Sequence, residues 1–127
     1  MNHSIEKTEK YIIIRLNEEK LNDLISTELK SQLMAINQEG ARNIILDLSN
    51  TTYCDSSGLS AILVGNKLCK NSNGSFVICG LKDKVKRLVT ISQLEKILLI
   101  VPTIEEGIDL IFMEEIERDL INDSNNH

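Results

Sequence analysis

The sequence is poor in the residues on which several classes of protein depend. It has no Trp, only two Phe and two Tyr, one Pro and two His. With so few aromatic rings, the core has to be built from Ile, Leu and Val. The histidines stand at positions 3 and 127, so no base lies near a serine nucleophile in the sequence, and the GxSxG, GxGxxG and GxxxxGKS/T motifs are absent. We therefore expect no enzyme activity.

The cysteines, apolar runs and charges exclude several further kinds of site. Cys54, Cys69 and Cys79 form an odd set without CxxC spacing, so we expect free thiols and neither a metal nor a cofactor. No apolar run approaches the ~18 residues of a membrane span, and no basic segment followed by an apolar stretch opens the sequence. A net charge of −5 opposes binding to nucleic acid and to anionic lipid. The expected location is the cytoplasm, without direct contact to nucleic acid or membrane.

The apolar pattern alternates between strand and helix along the chain. Short apolar runs predict strands, and apolar residues at steps of three and four predict amphipathic helices. The predicted strands cover residues 4–6, 11–16, 43–48, 75–79 and 97–101, with 43–48 as the central strand. The predicted helices cover residues 21–36, 56–69, 85–94 and 104–116, the last of them capped by Thr103.

This alternation is typical of one fold class. It predicts an α/β protein with an open, mixed but mostly parallel β-sheet of four to five strands and about four amphipathic helices. A chain of 127 residues fits one domain, which we expect at residues 1–121, followed by a disordered tail at residues 122–127.

The segment Asp55-Ser56-Ser57-Gly58-Leu59 stands where a strand is followed directly by a helix. Binding sites of α/β folds commonly lie at this edge of the sheet, which makes the segment the leading candidate site. Asp55 or Ser56 can cap the helix by accepting a bond from a free backbone N–H, and Gly58 allows another part of the backbone to approach closely. Capping alone would also explain the motif on these general grounds.

The same segment carries a family resemblance. The run DSSGLSAIL, which follows NIILDLSNTTYC and precedes SFVICGLKDKVKRLVTISQLEKILLI, resembles the STAS-domain anti-sigma factor antagonists of bacteria. The resemblance extends over nearly the whole chain in element order and implies a STAS-like fold. It also implies partner switching in transcription regulation, in which the unphosphorylated protein binds an anti-sigma factor and so releases the sigma factor.

In this family the anti-sigma factor is also a serine kinase that inactivates the antagonist, and a phosphatase of the PP2C type reverses the modification. The serine after the motif's aspartate is the phosphoacceptor, which corresponds to Ser56, with Ser57 as the fallback. The protein is expected to be a monomer or a weak dimer. The residues expected to contact the partner are Asp55, Ser57, Gly58, Leu59, Asn22, Asp23, Lys84 and Arg87.

Two positions depart from the family pattern. The family often has a glycine and then an aspartate before the first helix, whereas here Asn22 stands in the aspartate's place with Asp23 beside it. Gln93 replaces a glycine that is common before the last strand. The cluster containing Lys84 and Arg87 is predicted to contact an acidic partner surface, or else to form a solvated helix face.

A second interpretation remains open. The chain would then be a STAS scaffold or a module that binds a nucleotide or lipid, accessory to a transport or signalling assembly. In that case Ser56 would serve only as part of a helix cap and would not be phosphorylated.

Overall fold

The computed structural model describes residues 1–125, with side chains through residue 123. Within residues 1–125, seven strands and four α-helices follow one another. The strands are β1 (His3–Lys7), β2 (Ile12–Leu16), β3 (Lys20–Leu21), β4 (Ile44–Asp47), β5 (Tyr53–Cys54), β6 (Phe76–Cys79) and β7 (Leu99–Val101). The helices are α1 (Asp23–Gln38), α2 (Ser56–Asn71), α3 (Asp83–Ile91) and α4 (Ile104–Asn125), and a 3-10 turn spans Leu94–Lys96.

Five strands form the main sheet in the order β1-β2-β4-β6-β7. Strand β1 is antiparallel to β2, and the β2–β4, β4–β6 and β6–β7 pairs are all parallel. The predicted mixed, mostly parallel α/β sheet is thus confirmed, and β4 is the central strand as expected. A strand buried on both faces needs a continuous apolar sequence, which explains the run NIILDL.

Alternate residues of the central strands pack against helices on opposite faces of the sheet. Ile44 and Leu46 belong to the larger apolar cluster, which includes side chains of α1, α2 and α3. Ile45 belongs to the smaller cluster, to which α4 contributes Ile111. Helix α4 therefore lies on the face of the sheet opposite α1 and α2.

The first helix begins two residues later than its apolar spacing predicts. Leu21 fits the three- and four-residue apolar spacing of α1. Lys20–Leu21 instead pairs in parallel with Tyr53–Cys54 and forms a small second sheet. Two residues are too few to show a strand period, so this pair of strands was not predicted. Its consequence is that α1 and α2 begin beside each other.

The last helix extends beyond the predicted end of the domain. The sequence analysis assigns residues 122–127 to a disordered tail, and α4 continues through Asn125. The final two residues lie outside the described part. Thr103 caps α4 as predicted, because its Oγ1 accepts a hydrogen bond from the backbone N–H of Glu106 at 3.2 Å. Within residues 1–125, no helix combines the length and the apolar character needed to cross a membrane.

Gln93 stands in a backbone conformation that favours glycine. Its φ is 61° and its ψ is 21°, in the left-handed region between α3 and the 3-10 turn. A side chain in this region costs about 1–2 kcal/mol, and glycine removes that cost at the expense of greater freedom in the unfolded chain. We expect Gln93→Gly to raise the free energy of unfolding by about 0.5–1 kcal/mol in urea denaturation. Gln93→Val, with a β-branched side chain, should lower it, and the opposite order would refute this account.

Candidate functional site

The candidate site is built from the adjacent starts of α1 and α2. Strands β3 and β5 pair in parallel, and each is followed at once by a capping residue and a helix. Asn22 Oδ1 accepts a hydrogen bond from the backbone N–H of Ile25 at 3.2 Å, and Asp55 Oδ1 accepts one from Gly58 at 3.1 Å. Asn22 thus caps α1, because an amide oxygen serves this purpose as well as a carboxylate.

Hydrogen bonds hold the two segments that lead into these helices. The hydroxyl of Thr51, which is fully buried, donates to the carbonyl of Glu18 at 2.8 Å. The backbone N–H groups of Thr52 and Tyr53 both donate to the carbonyl of Glu19, at 2.9 and 3.1 Å. The positions of both helix starts are therefore set largely by backbone contacts rather than by exposed side chains.

Gly58 allows the first turn of α2 to lie against β3. A Cβ atom at this residue would be 2.7 Å from the carbonyl oxygen of Leu21 and 2.5 Å from Cys54 Sγ. Gly58 is buried, and the next residue, Leu59, is only 9% exposed and belongs to the core. Both residues were predicted to contact a partner, and they present little exposed surface for such a contact in the isolated chain. They support the site from inside, since helical phase turns them toward the sheet.

The two serines of the motif have different surroundings. Ser57 is partly buried, and its hydroxyl donates to Asp23 Oδ1 at 3.2 Å. Ser56 is exposed at the first position of α2, as the sequence predicts, and its hydroxyl has no hydrogen-bond partner among the described residues. Of the two hydroxyls, Ser56 Oγ is thus the more accessible to a modifying enzyme.

The charges around Ser56 are mixed. Asp55 and Asp23 place two carboxylates at the start of α2 and α1, where the partial positive charge of each helix N-terminus favours them. Helix α3 packs against β5 and therefore lies beside the serine segment. Lys84 and Arg87 are exposed on α3, and neither forms an ion pair with another described residue. Both cations are available to a partner.

Two exposed apolar side chains near the site were not predicted. Leu24 in the first turn of α1 is 68% exposed. Tyr53 in β5 is 48% exposed. Helical phase places Leu24 on the same side of α1 as the exposed Glu28 and Ser31, opposite the buried stripe of the helix. Exposed Tyr and Leu side chains are the type of anchor that protein interfaces bury.

The cysteine next to the motif is not set up for nucleophilic chemistry. Burial, and then the charge of Asp55, raise the pKa of the Cys54 thiol to about 12, so the thiolate is scarce at neutral pH. Cys69 and Cys79 are buried, and burial raises the pKa of each to about 12 as well. All three thiols are free, and the structure gives them a packing role.

Comparison with known proteins identifies the family. A family model described as STAS domain matches residues 2–107. The anti-sigma F factor antagonist of Paenibacillus polymyxa is 36% identical over 88 residues, which cover 68% of this chain and 74% of that protein. The anti-sigma-B factor antagonist of Staphylococcus aureus is 30% identical over 100 residues, covering 77% of this chain and 92% of that protein.

A solved structure agrees with these sequence matches. The Thermotoga maritima protein TM1081 has the same fold with a TM-score of 0.78 at 25% identity, covering 86% of this chain and 93% of that one. The resemblance carried by the DSSG segment is thereby confirmed, and the chain belongs to the STAS-domain family of anti-sigma factor antagonists.

Proposed function

We propose that this protein is a non-catalytic anti-sigma factor antagonist controlled by phosphorylation of Ser56. The unphosphorylated form binds an anti-sigma factor that is also a serine kinase, and the sigma factor is released. The kinase then phosphorylates Ser56 and ends the interaction, and a PP2C-type phosphatase restores the binding form. One observation carries this assignment: Ser56 Oγ is exposed and unengaged at the start of α2, whereas Ser57 Oγ is bonded to Asp23.

The relatives support the general activity. The proteins from Paenibacillus polymyxa and Staphylococcus aureus are both named as antagonists of anti-sigma factors, and this chain matches most of the length of each. The kinase, the phosphatase and the modified serine are finer assignments, which rest on the position and surroundings of the DSSG motif.

The position of Ser56 suits a reversible change of charge. A phosphate adds about −1.5 to −2 charges, and a helix N-terminus stabilises an anion by about 0.3–1 kcal/mol. Asp55 lies immediately before Ser56 and Asp23 holds Ser57, so like charges oppose this gain within the monomer. With the two effects offsetting each other, the modified protein is expected to remain folded.

The surface around Ser56 provides the docking patch for the partner. Leu24 and Tyr53 offer exposed apolar area, and Asn22 and Asp23 lie at the adjacent helix start. Lys84 and Arg87 on α3 would contact acidic groups of the partner at its margin. Binding there would bring the partner onto Ser56 itself, which links recognition to modification.

The proposal is tested by mapping phosphate on the intact protein. The protein, purified from its native host under several growth and stress conditions, is analysed by intact mass and peptide mapping beside Ser56→Ala and Ser57→Ala. We expect one phosphate on the wild type and on Ser57→Ala, and none on Ser56→Ala. A phosphate retained by Ser56→Ala would refute the assignment, and its absence from the wild type under every condition would favour the second function below.

The second candidate function is a STAS module that binds a small anionic ligand without being phosphorylated. A cleft of about 690 Å³ between α3 and the end of β7 is the observation that favours it. Lys82 and Lys86 line this cleft together with Ser49 and Thr90, which are side chains that can bind phosphate groups. Titration calorimetry with nucleotides, using Lys86→Ala as the control, separates this function from partner switching.

A further inference from the structure

From Met113 onward, α4 exposes an apolar stripe that nothing in the described chain covers. Met113, Ile116 and Leu120, which we call the outer stripe, are 66%, 61% and 62% exposed. Their spacing of three and then four residues aligns them along one side of the helix. An apolar stripe of this kind on a helix is usually buried against another element.

The outer stripe points away from the sheet. Gly107 and Ile111 are buried on the opposite side of α4, against the smaller apolar cluster. If α4 were rotated about its axis so that the outer stripe became buried, Gly107 and Ile111 would become exposed instead. The two apolar sides are therefore distinct, and the protein's own core occupies only one of them.

A polar network fixes this orientation. Glu115 accepts hydrogen bonds from Arg42 at 2.7 Å and from Asn43 at 2.8 Å, and Arg118 donates to Ser75 Oγ at 3.1 Å. Burial alone would raise the pKa of Glu115, but the hydrogen bonds from Asn43 and Arg118, together with the positive charges of Arg42 and Arg118, outweigh it and hold that pKa below its ordinary value. The charged, multiply bonded Glu115 opposes rotation of α4.

The outer stripe has the pattern of a short coiled-coil seam with acidic flanks. With Met113 and Leu120 at successive a positions, Ile116 is the d residue, and Glu117 and Asp119 fall at e and g. Side chains at e and g determine which helix can pair with the seam, since like charges there repel. Both flanks are negative here, and both side chains are exposed.

These charges decide among the possible occupants. A second copy of the chain in an antiparallel pair would bring Glu117 and Asp119 against the same acidic residues, and an anionic membrane would also be repelled. A helix with an apolar seam and Lys or Arg on its flanks would instead match both the apolar and the charged parts of the surface. The second half of α4 also lies beyond residue 107, where the match to the family model ends.

We propose that the outer stripe of α4 docks a basic amphipathic helix of a partner protein. This surface is on the face of the sheet opposite α1 and α2, at whose N-termini Ser56 lies. The two surfaces can therefore be occupied together, and modification of Ser56 leaves docking on α4 unchanged. The proposal is independent of the function assigned to Ser56.

The test uses the full chain and two designed helical peptides. Both peptides have Leu at a and d over four heptads. One carries Lys at every e and g position, and the other carries Glu. Fluorescence anisotropy at 0.15 M salt should show binding of the Lys peptide and at least tenfold weaker binding of the Glu peptide. Ile116→Asp should weaken binding of the Lys peptide at least tenfold, whereas Ile91→Asp, at another exposed apolar residue, should not.

A charge reversal makes the test more specific. Glu117→Lys combined with Asp119→Lys should invert the preference, so that the Glu peptide binds more tightly than the Lys peptide. Ser56→Asp should bind the Lys peptide as the wild type does. Equal affinity for both peptides, no detectable binding of the Lys peptide, or loss of binding in Ser56→Asp would each overturn the proposal. A dimer seen by sedimentation for the wild type and abolished by Ile116→Asp would assign the outer stripe to a second copy instead.

Discussion

Phosphorylation of Ser56 is expected to weaken binding to the anti-sigma factor about a thousandfold. In the complex the phosphate would lose water next to Asp55 and near Asp23, and a penalty of roughly 4 kcal/mol corresponds to three powers of ten in the dissociation constant. The measurement is titration calorimetry of the phosphorylated and unphosphorylated proteins with the same anti-sigma factor, at a fixed salt concentration.

Matched variants separate the effect of charge from the effect of shape. Ser56→Asp should weaken binding less than the phosphate, because it adds one charge rather than about −1.5 to −2. Ser56→Asn, similar in size but neutral, should bind close to the wild type. Ser57→Ala loses only the contact to Asp23 and should also retain most of the affinity. Equal affinity of the phosphorylated and unphosphorylated forms would contradict the switch.

Gly58→Ala is expected to be strongly destabilising for so small a change. The new methyl group would lie 2.7 Å from the carbonyl oxygen of Leu21, and a backbone atom held in the β3–β5 pair cannot move away as a flexible side chain can. Forcing extra volume into a packed site typically costs about 1–3 kcal/mol, and we expect a loss of about 2–3 kcal/mol in urea denaturation. Because α2 would be displaced, partner binding should fall as well.

Gly107→Ala provides the matched control for this prediction. Gly107 is also buried within a helix, but a Cβ there would meet only side-chain carbons of Ile45 and Val77, at 3.5 Å. Removing a glycine from a helix interior is then expected to raise the free energy of unfolding by about 0.5–1 kcal/mol. Equal effects of the two substitutions would mean that the contact with Leu21 is not what makes Gly58 necessary.

The order of the main elements was predictable because each has a strong local pattern. The run NIILDL identifies the central strand. Asp55, a residue type that commonly caps helices, indicates that a helix begins at Ser56. The fold class follows from this alternation, since a parallel pair of strands requires a crossover that is usually a helix. These features depend on near neighbours in the sequence, which is where periodicity is informative.

The details of the site depend on contacts between distant residues and were not predictable in this way. The pairing of Leu21 with Cys54 joins two segments through only two residues each, which is too short for a periodic signal. Leu24 and Leu59 are both apolar, yet one is exposed and the other is buried.

The joining of the two helix starts has a consequence for how a modifying enzyme would select its substrate. The tetrapeptide Asp55-Ser56-Ser57-Gly58 is present in a chain that is still emerging from the ribosome, but its neighbours Asn22 and Asp23 reach it only once β3 and β5 have paired. An enzyme that recognises both helix starts together would act on mature molecules and ignore nascent or damaged ones. Phosphate on Ser56 would then be found only on molecules that had completed their folding.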